Sequence, residues 1–261
     1  MSKTPPLGSL RFAFGTLTVL PVGVTRWDRE AARAGMMAAP IVGTVVGVCS
    51  AGLGLLLLFL GASPLLAAVG TVAVPAVLTR GLHLDGLADT ADGLGSGKPA
   101  EDALRIMKQS DIGPFGVLSL VFVLLAQVAV LAQLYGDSWA RGAAAAIVSA
   151  VAARLALTWA ARTGVPAARP EGLGAAVAGV VPVGGAVAVT LSYLVISAAL
   201  GPFFGGQGRV RAVVAVVVAL VVAEILLRHC RRRFGGVTGD VFGGLAETAA
   251  TTALVVLALG G

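Results

Sequence analysis

Charge is scarce in this chain. Only 12% of its 261 residues are charged, against about 25% in ordinary soluble domains. Thirteen residues are acidic, aromatics make up 5%, and there are two histidines and two cysteines. The cysteines, Cys49 and Cys230, lie on unrelated segments, so neither a disulfide framework nor a thiolate metal spacing follows. The first apolar stretch has no small-residue cleavage site after a short core, which argues against a removable signal peptide. What remains is apolar: 57% of the chain is hydrophobic and its mean hydropathy is +0.93. A soluble enzyme is excluded, and a polytopic membrane protein is expected.

Residues 7 to 22 are apolar but short and contain Arg11 and Pro21. They read as an interfacial or re-entrant helix. Seven longer candidates follow, at about 34–60, 63–79, 112–135, 140–160, 174–200, 210–227 and 241–259. The expected fold is therefore all-α, a polytopic membrane bundle of about seven transmembrane helices plus that N-terminal helix, with residues 1–261 forming one integral membrane catalytic domain. Threading seven spans from a cytoplasmic residue 33 places thirteen Lys and Arg on the cytoplasmic side and three opposite, a strong positive-inside bias. It puts three polar loops, about 80–111, 162–173 and 228–240, on that same face.

The first of these loops carries the densest chemistry. Asp85, Asp89 and Asp92 fall at i, i+4 and i+7, one stripe of a helix. Three like charges on one stripe repel unless a cation sits among them. Hard oxygen ligands suit Mg²⁺, which is usually held by one or two carboxylates with water and substrate phosphates, so this cluster points to phosphate chemistry. The bland alternative is a solvated acidic loop that caps helices. His83 precedes the cluster and could orient an aspartate or touch phosphate. Residues 101–108 read as a short amphipathic helix with Arg105 and Lys108 toward the site. The segment around Gly113 and Gly116 opens the next span, either as a phosphate-binding turn or as a plain loop.

Two ionisable groups fall inside spans: Arg154 and Glu224. They are functional-site candidates by position, or else a mutual ion pair that holds two helices together. Arg228 to Arg233 reads as an anchor for anionic headgroups. The glycine-rich segment after it contains Thr238, Asp240 and Glu247. The last two lie at i, i+7 on one helical face, where they could complete a metal site or position a nucleophile.

These motifs together resemble the cobalamin synthase family, the membrane adenosylcobinamide-GDP ribazoletransferases. The resemblance is carried by His83-Leu-Asp-Gly-Leu-Ala-Asp-Thr-Ala-Asp-Gly93, by Ile106 to Gly116, by Glu171-Gly-Leu-Gly174 and by Arg232 to Asp240, and it runs from the Leu17-Thr-Val-Leu-Pro21 segment to Glu247. It implies a Mg²⁺-dependent phosphotransferase of the last steps of cobalamin biosynthesis. A free ribose hydroxyl of α-ribazole, or of its 5′-phosphate, attacks the phosphorus bearing the cobinamide arm of adenosylcobinamide-GDP. GMP leaves, and adenosylcobalamin or its 5′-phosphate forms. On this footing Asp85, Asp89, Asp92 and Asp240 are expected to be catalytic, the first three as metal ligands. His83, Arg105, Lys108, Ser110, Arg154, Thr238 and Glu247 are expected to bind substrate or phosphate. Many family members carry Asp-Ser-Arg where this chain has Gln109-Ser110-Asp111, so the phosphate contact of that Arg would pass to Arg105, Lys108 or Arg154. The implied setting is the bacterial inner membrane, with the active site facing the cytoplasm and membrane lipid around it. No nucleic-acid partner is expected; self-association or association with other cobalamin-assembly enzymes stays open. The rival readings are a CDP-alcohol-type membrane phosphotransferase, whose motif also begins Asp-Gly, a transporter with acids along a pathway, and a purely structural membrane subunit.

Overall fold

The computed structural model describes residues 6–259, so the ends of the expected 1–261 domain lie outside the described residues. It is an all-α bundle. Helix α1 spans Pro6–Leu17 and α2 spans Arg29–Phe59. Asp28 caps α2 by accepting from the backbone N–H groups of Glu30 and Ala31, which satisfies donors that a helix start leaves orphaned. At 31 residues α2 is about 46 Å long, more than the ~30 Å of a bilayer's hydrocarbon core. Phe12, on α1, packs edge-on against Trp27 and is fully buried. The N-terminal helix is thus fixed to the bundle by its own aromatic anchor.

Helix α3 (Pro64–Leu78) begins at a Ser63 cap with proline in its first turn. It meets α4 (Leu82–Gly95) at a bend of 87°. Arg80 sits in that bend with φ of 53°, the one positive-φ non-glycine among the described residues. Helix α5 (Ala100–Ile106) is short, and α6 (Pro114–Asp137) and α7 (Trp139–Ala160) follow. Helix α7 is buried along nearly its whole length. Its alanines let neighbours close in: a Cβ on Gly43 or Gly47 of α2 would lie 2.6 Å from the Ala150 carbonyl oxygen or 2.8 Å from the Ile147 Cα. The four-residue glycine spacing is therefore a helix-packing device.

The expected span at 174–200 is divided. Residues 172–177 form a short helix α8 (Gly172–Val177), and α9 (Val183–Ala199) starts only after the extended stretch at Pro182. A 3-10 turn at Gly201–Phe204 leads to α10 (Gly208–Phe234), and α11 (Gly239–Ala258) closes the fold. The expected loop at 228–240 is helical as far as Phe234. Arg231, Arg232 and Arg233 occupy the last turn of α10, where cations complement the helix dipole.

Five helices, α2, α6, α7, α10 and α11, are long and apolar enough to cross a membrane. The bent pair α3–α4 adds a broken sixth, and α9 is a shorter apolar helix. The protein is a helical membrane protein, and each expected span finds an apolar helix.

Candidate active site

The aspartate stripe forms on α4 as its spacing predicts, but its three members have different surroundings. Asp85 is exposed, Asp89 half-buried and Asp92 buried. The Asp92 carboxylate accepts from the backbone N–H of Gly113 at 2.8 Å and of Gly116 at 2.9 Å, one bond to each oxygen. These N–H groups belong to the start of α6, so the anion held there is Asp92 itself. Glycine is needed at both positions because a Cβ on either would lie 2.4 Å from an Asp92 oxygen. Each oxygen of Asp92, expected as a metal ligand, thus accepts one bond from the start of α6, and the turn at residues 113–116 holds a carboxylate of the chain itself.

Asp240 takes a place beside the other two. Helices α4 and α11 approach so closely that a Cβ on Gly86 would lie 2.6 Å from the Asp240 carbonyl oxygen, and one on Gly243 would lie 3.0 Å from that of His83. Asp240 therefore flanks Gly86, which sits between Asp85 and the turn that carries Asp89. Asp89 lies within electrostatic reach of Asp85, Asp92 and Asp240, and of one cation, Arg169. Arg169 Nη1 is 3.7 Å from Asp240 Oδ2, and its Nη2 donates to the Leu104 carbonyl. Thr238 caps α11 by accepting from the Val241 N–H at 3.2 Å, and its hydroxyl donates to Asp240 at 3.1 Å.

The three polar loops are stitched together at this end of the bundle. Val237 N–H donates to the Pro166 carbonyl and Ala168 N–H to the Val237 carbonyl, both at 2.9 Å. Arg231 donates to Gly164 at 3.0 Å and Arg233 to Lys98 at 2.9 Å. Asp85 also lines a pocket of about 640 Å³ with Arg80, Thr16, Thr18, Thr79 and Gly81, within the range of small-molecule sites. The strained backbone of Arg80 is at its rim; such strain is common at functional sites.

The other expected residues are placed differently. Arg105 pairs with Glu101 and Asp102 of its own helix at 3.8 and 3.1 Å. Lys108 holds Glu171 at 2.9 Å, which keeps that exposed carboxyl below its usual range. Ser110 is exposed on the loop before α6. None of these three is drawn onto the carboxylates. His83 is buried beneath α11, and its Nε2 has no partner. Arg154 is also buried, with Nε and Nη2 unpartnered. It lines a small, partly open cavity of about 40 Å³ with Glu247, Gln127 and Ser149, room for a few waters. Glu247 accepts from Gln127 at 2.9 Å. Arg154 of α7 and Glu247 of α11 thus face one cavity inside the bundle. The expected partnership of Arg154 with Glu224 does not form: Glu224 binds Arg162 at 2.9 Å and Arg228 at 2.8 Å. The cation beside Asp240 and within electrostatic reach of Asp89 is Arg169, which sequence reasoning passed over. Its only signal was its place in the second polar loop.

Among the described residues no three His, Cys, Asp or Glu side chains form a ready-made metal set. The donors at the site still suit a hard divalent cation. Asp85, Asp89 and Asp240 against Arg169 leave two net negative charges, and ions such as Mg²⁺ take much of their coordination from water and substrate.

The family model described as cobalamin-5-phosphate synthase matches residues 9–258. An adenosylcobinamide-GDP ribazoletransferase of Frankia casuarinae is 43% identical, with 95% of this chain and 94% of the relative covered. Proteins of the same name from Nocardioides sp. and Bradyrhizobium diazoefficiens are 39% and 37% identical; the matches cover 95% and 97% of this chain and 97% and 94% of those proteins. No solved structure matches the chain. With a family model spanning nearly its whole length and motifs gathered at one end of a membrane bundle, the chain belongs to the cobalamin-5-phosphate synthase family.

Proposed function

We propose that the protein transfers the cobinamide phosphoryl group of adenosylcobinamide-GDP to a free ribose hydroxyl of α-ribazole or of its 5′-phosphate, releasing GMP. The observation that carries this reading is the gathering of Asp85, Asp89, Asp240 and Arg169 at the one end where all three polar loops meet. Phosphoryl transfer needs charge neutralisation and in-line placement more than covalent help. The family relationship favours this reaction over the CDP-alcohol and transporter alternatives.

Asp85 and Asp89 are the carboxylates that would hold Mg²⁺, with Asp240 beside them; when bound, the ion would neutralise charge on the diphosphate and on departing GMP. The remaining tasks fall to the chain itself. Arg169 fixes Asp240 and offers a guanidinium to phosphate oxygens. Arg80 and the threonine-rich pocket next to Asp85 provide a small-molecule cradle. One of the site's carboxylates accepts the proton of the attacking hydroxyl. Arg154 and Glu247 lie below, on α7 and α11, facing one small cavity within electrostatic reach of each other. The excess of Lys and Arg at this end favours a cytoplasmic site in the bacterial inner membrane.

The test is GMP release by the purified protein with adenosylcobinamide-GDP and α-ribazole, with and without Mg²⁺. Release that requires both substrates and the ion is the expected result. Absence of release from a folded, lipid-supplemented sample overturns the assignment.

A further inference from the structure

A second charged cluster lies outside the site just described, between α7, α9 and α10. A groove of about 600 Å³ runs there, walled by Trp159, Thr190, Val217, Leu220 and Val221. On α10 its outer edge is a stripe of exposed apolar residues, Val217, Val221 and Ile225, at four-residue spacing. The groove opens at one end into a polar mouth of about 560 Å³ bounded by Arg162, Glu224, Arg228, Arg231 and Arg232. The two spaces share Arg162, Glu224 and Arg228 in their walls, so they adjoin.

Three of the four guanidiniums at this mouth, those of Arg162, Arg228 and Arg231, are held by hydrogen bonds. One oxygen of Glu224, Oε1, accepts from Arg162 Nη2 at 2.9 Å and from Arg228 Nε at 2.8 Å. Arg162 also donates to the Trp159 carbonyl at 2.8 Å and lies 5.6 Å from the Trp159 ring centroid. Arg231 is tied to the Gly164 carbonyl at 3.0 Å. Four arginines against one glutamate leave three net positive charges. A single glutamate orients two of the arginines and cannot neutralise the set.

We propose that this groove is a binding site for one anionic phospholipid, with an acyl chain against the α10 stripe and the headgroup phosphate among the arginines. Charge complementarity selects the headgroup. Length selects the chain: from Val217 to Arg228 the axial distance along α10 is about 16 Å, close to half of the ~30 Å hydrocarbon core. An apolar path one leaflet deep that ends at a fixed cationic mouth matches a lipid better than a soluble anion, which would leave the apolar wall without a partner. The site lies on the α9–α10 side of the bundle, and its occupancy needs no substrate.

The experiment is native mass spectrometry of the full-length protein released from mixed phosphatidylglycerol–phosphatidylcholine nanodiscs, with thermal midpoints read in parallel and no substrate present. Retention of phosphatidylglycerol about tenfold over phosphatidylcholine is expected, falling to parity in Arg231→Gln/Arg232→Gln. The exposed single variant Arg232→Gln gives the same reading, in weaker form, if the double variant misfolds. A groove-filling Val221→Trp should lower retention of both lipids. Equal retention of the two lipids by the unaltered protein overturns the proposal. So does an equal thermal shift from sn-glycerol 3-phosphate alone, which would make this a soluble-anion site. Because binding is read without turnover, failure here leaves the transferase reading untouched, and failure of GMP release leaves this one untouched.

Discussion

The acidic cluster at α4 and α11 and the basic cluster at α7 and α10 are built on inverted plans. In the first, several carboxylates share one arginine, Arg169; in the second, several arginines share one glutamate, Glu224. In each the minority charge orients its neighbours without cancelling them. The clusters differ in their walls. The acidic one rests on close backbone contact at Gly86 and Gly243 and opens into a pocket with threonines and a strained arginine. The basic one opens onto an apolar groove. Residual negative charge in a polar pocket is what the proposed cation and phosphorylated substrate would complement. Residual positive charge over an apolar groove calls for an amphiphile.

The largest effect that could break this contrast is at Asp89. Asp89→Asn should lower GMP release by about a thousandfold or more while the protein still inserts; near-normal turnover in the purified variant would remove the carboxylate from the chemistry. Arg169→Gln should cost about tenfold in kcat/KM, with partial recovery in Arg169→Lys, because the guanidinium meets both Asp240 and a backbone carbonyl. An unchanged kcat/KM would reduce it to a loop tether. Asp92→Asn separates cap from ligand. Losing one of two charge-assisted bonds to α6 should destabilise by about 2 kcal/mol, seen as a lower thermal midpoint, while the folded fraction keeps most of its turnover. An Asn variant as inactive as Asp89→Asn, at unchanged stability, would return Asp92 to the metal. Glu224→Gln is the smallest: about 1 kcal/mol of stability, with GMP release little changed. A collapse of turnover there would merge the two clusters into one site.

Much of this was legible in the chain. The apolar runs found helices because burial in lipid leaves few other backbone solutions. The break before α9 was harder to see, since Gly and Pro are common throughout and only some of them interrupt a helix. At the site, the stripe of Asp85 and Asp89 followed from helical spacing alone. The role of Asp92 did not, because its partners are backbone N–H groups 21 and 24 residues away, and a sequence does not display backbone donors. Arg169 was hidden for a similar reason: its loop reaches Asp240 through a pairing of residues 166–168 with Val237 that no local pattern announces. Arg154 and Glu247 were visible as charges in apolar company, but not as each other's neighbours.

The close seam between α4 and α11 also has a meaning in time. A chain is made from its N-terminal end, so Asp85 and Asp89 are in the membrane long before Asp240 exists. Until Gly243 settles against α4, the carboxylates of the first polar loop have neither Arg169's partner nor a closed wall beside them. Inserted but unfinished chains should therefore be inert, and the transferase should switch on only with the docking of its last helix.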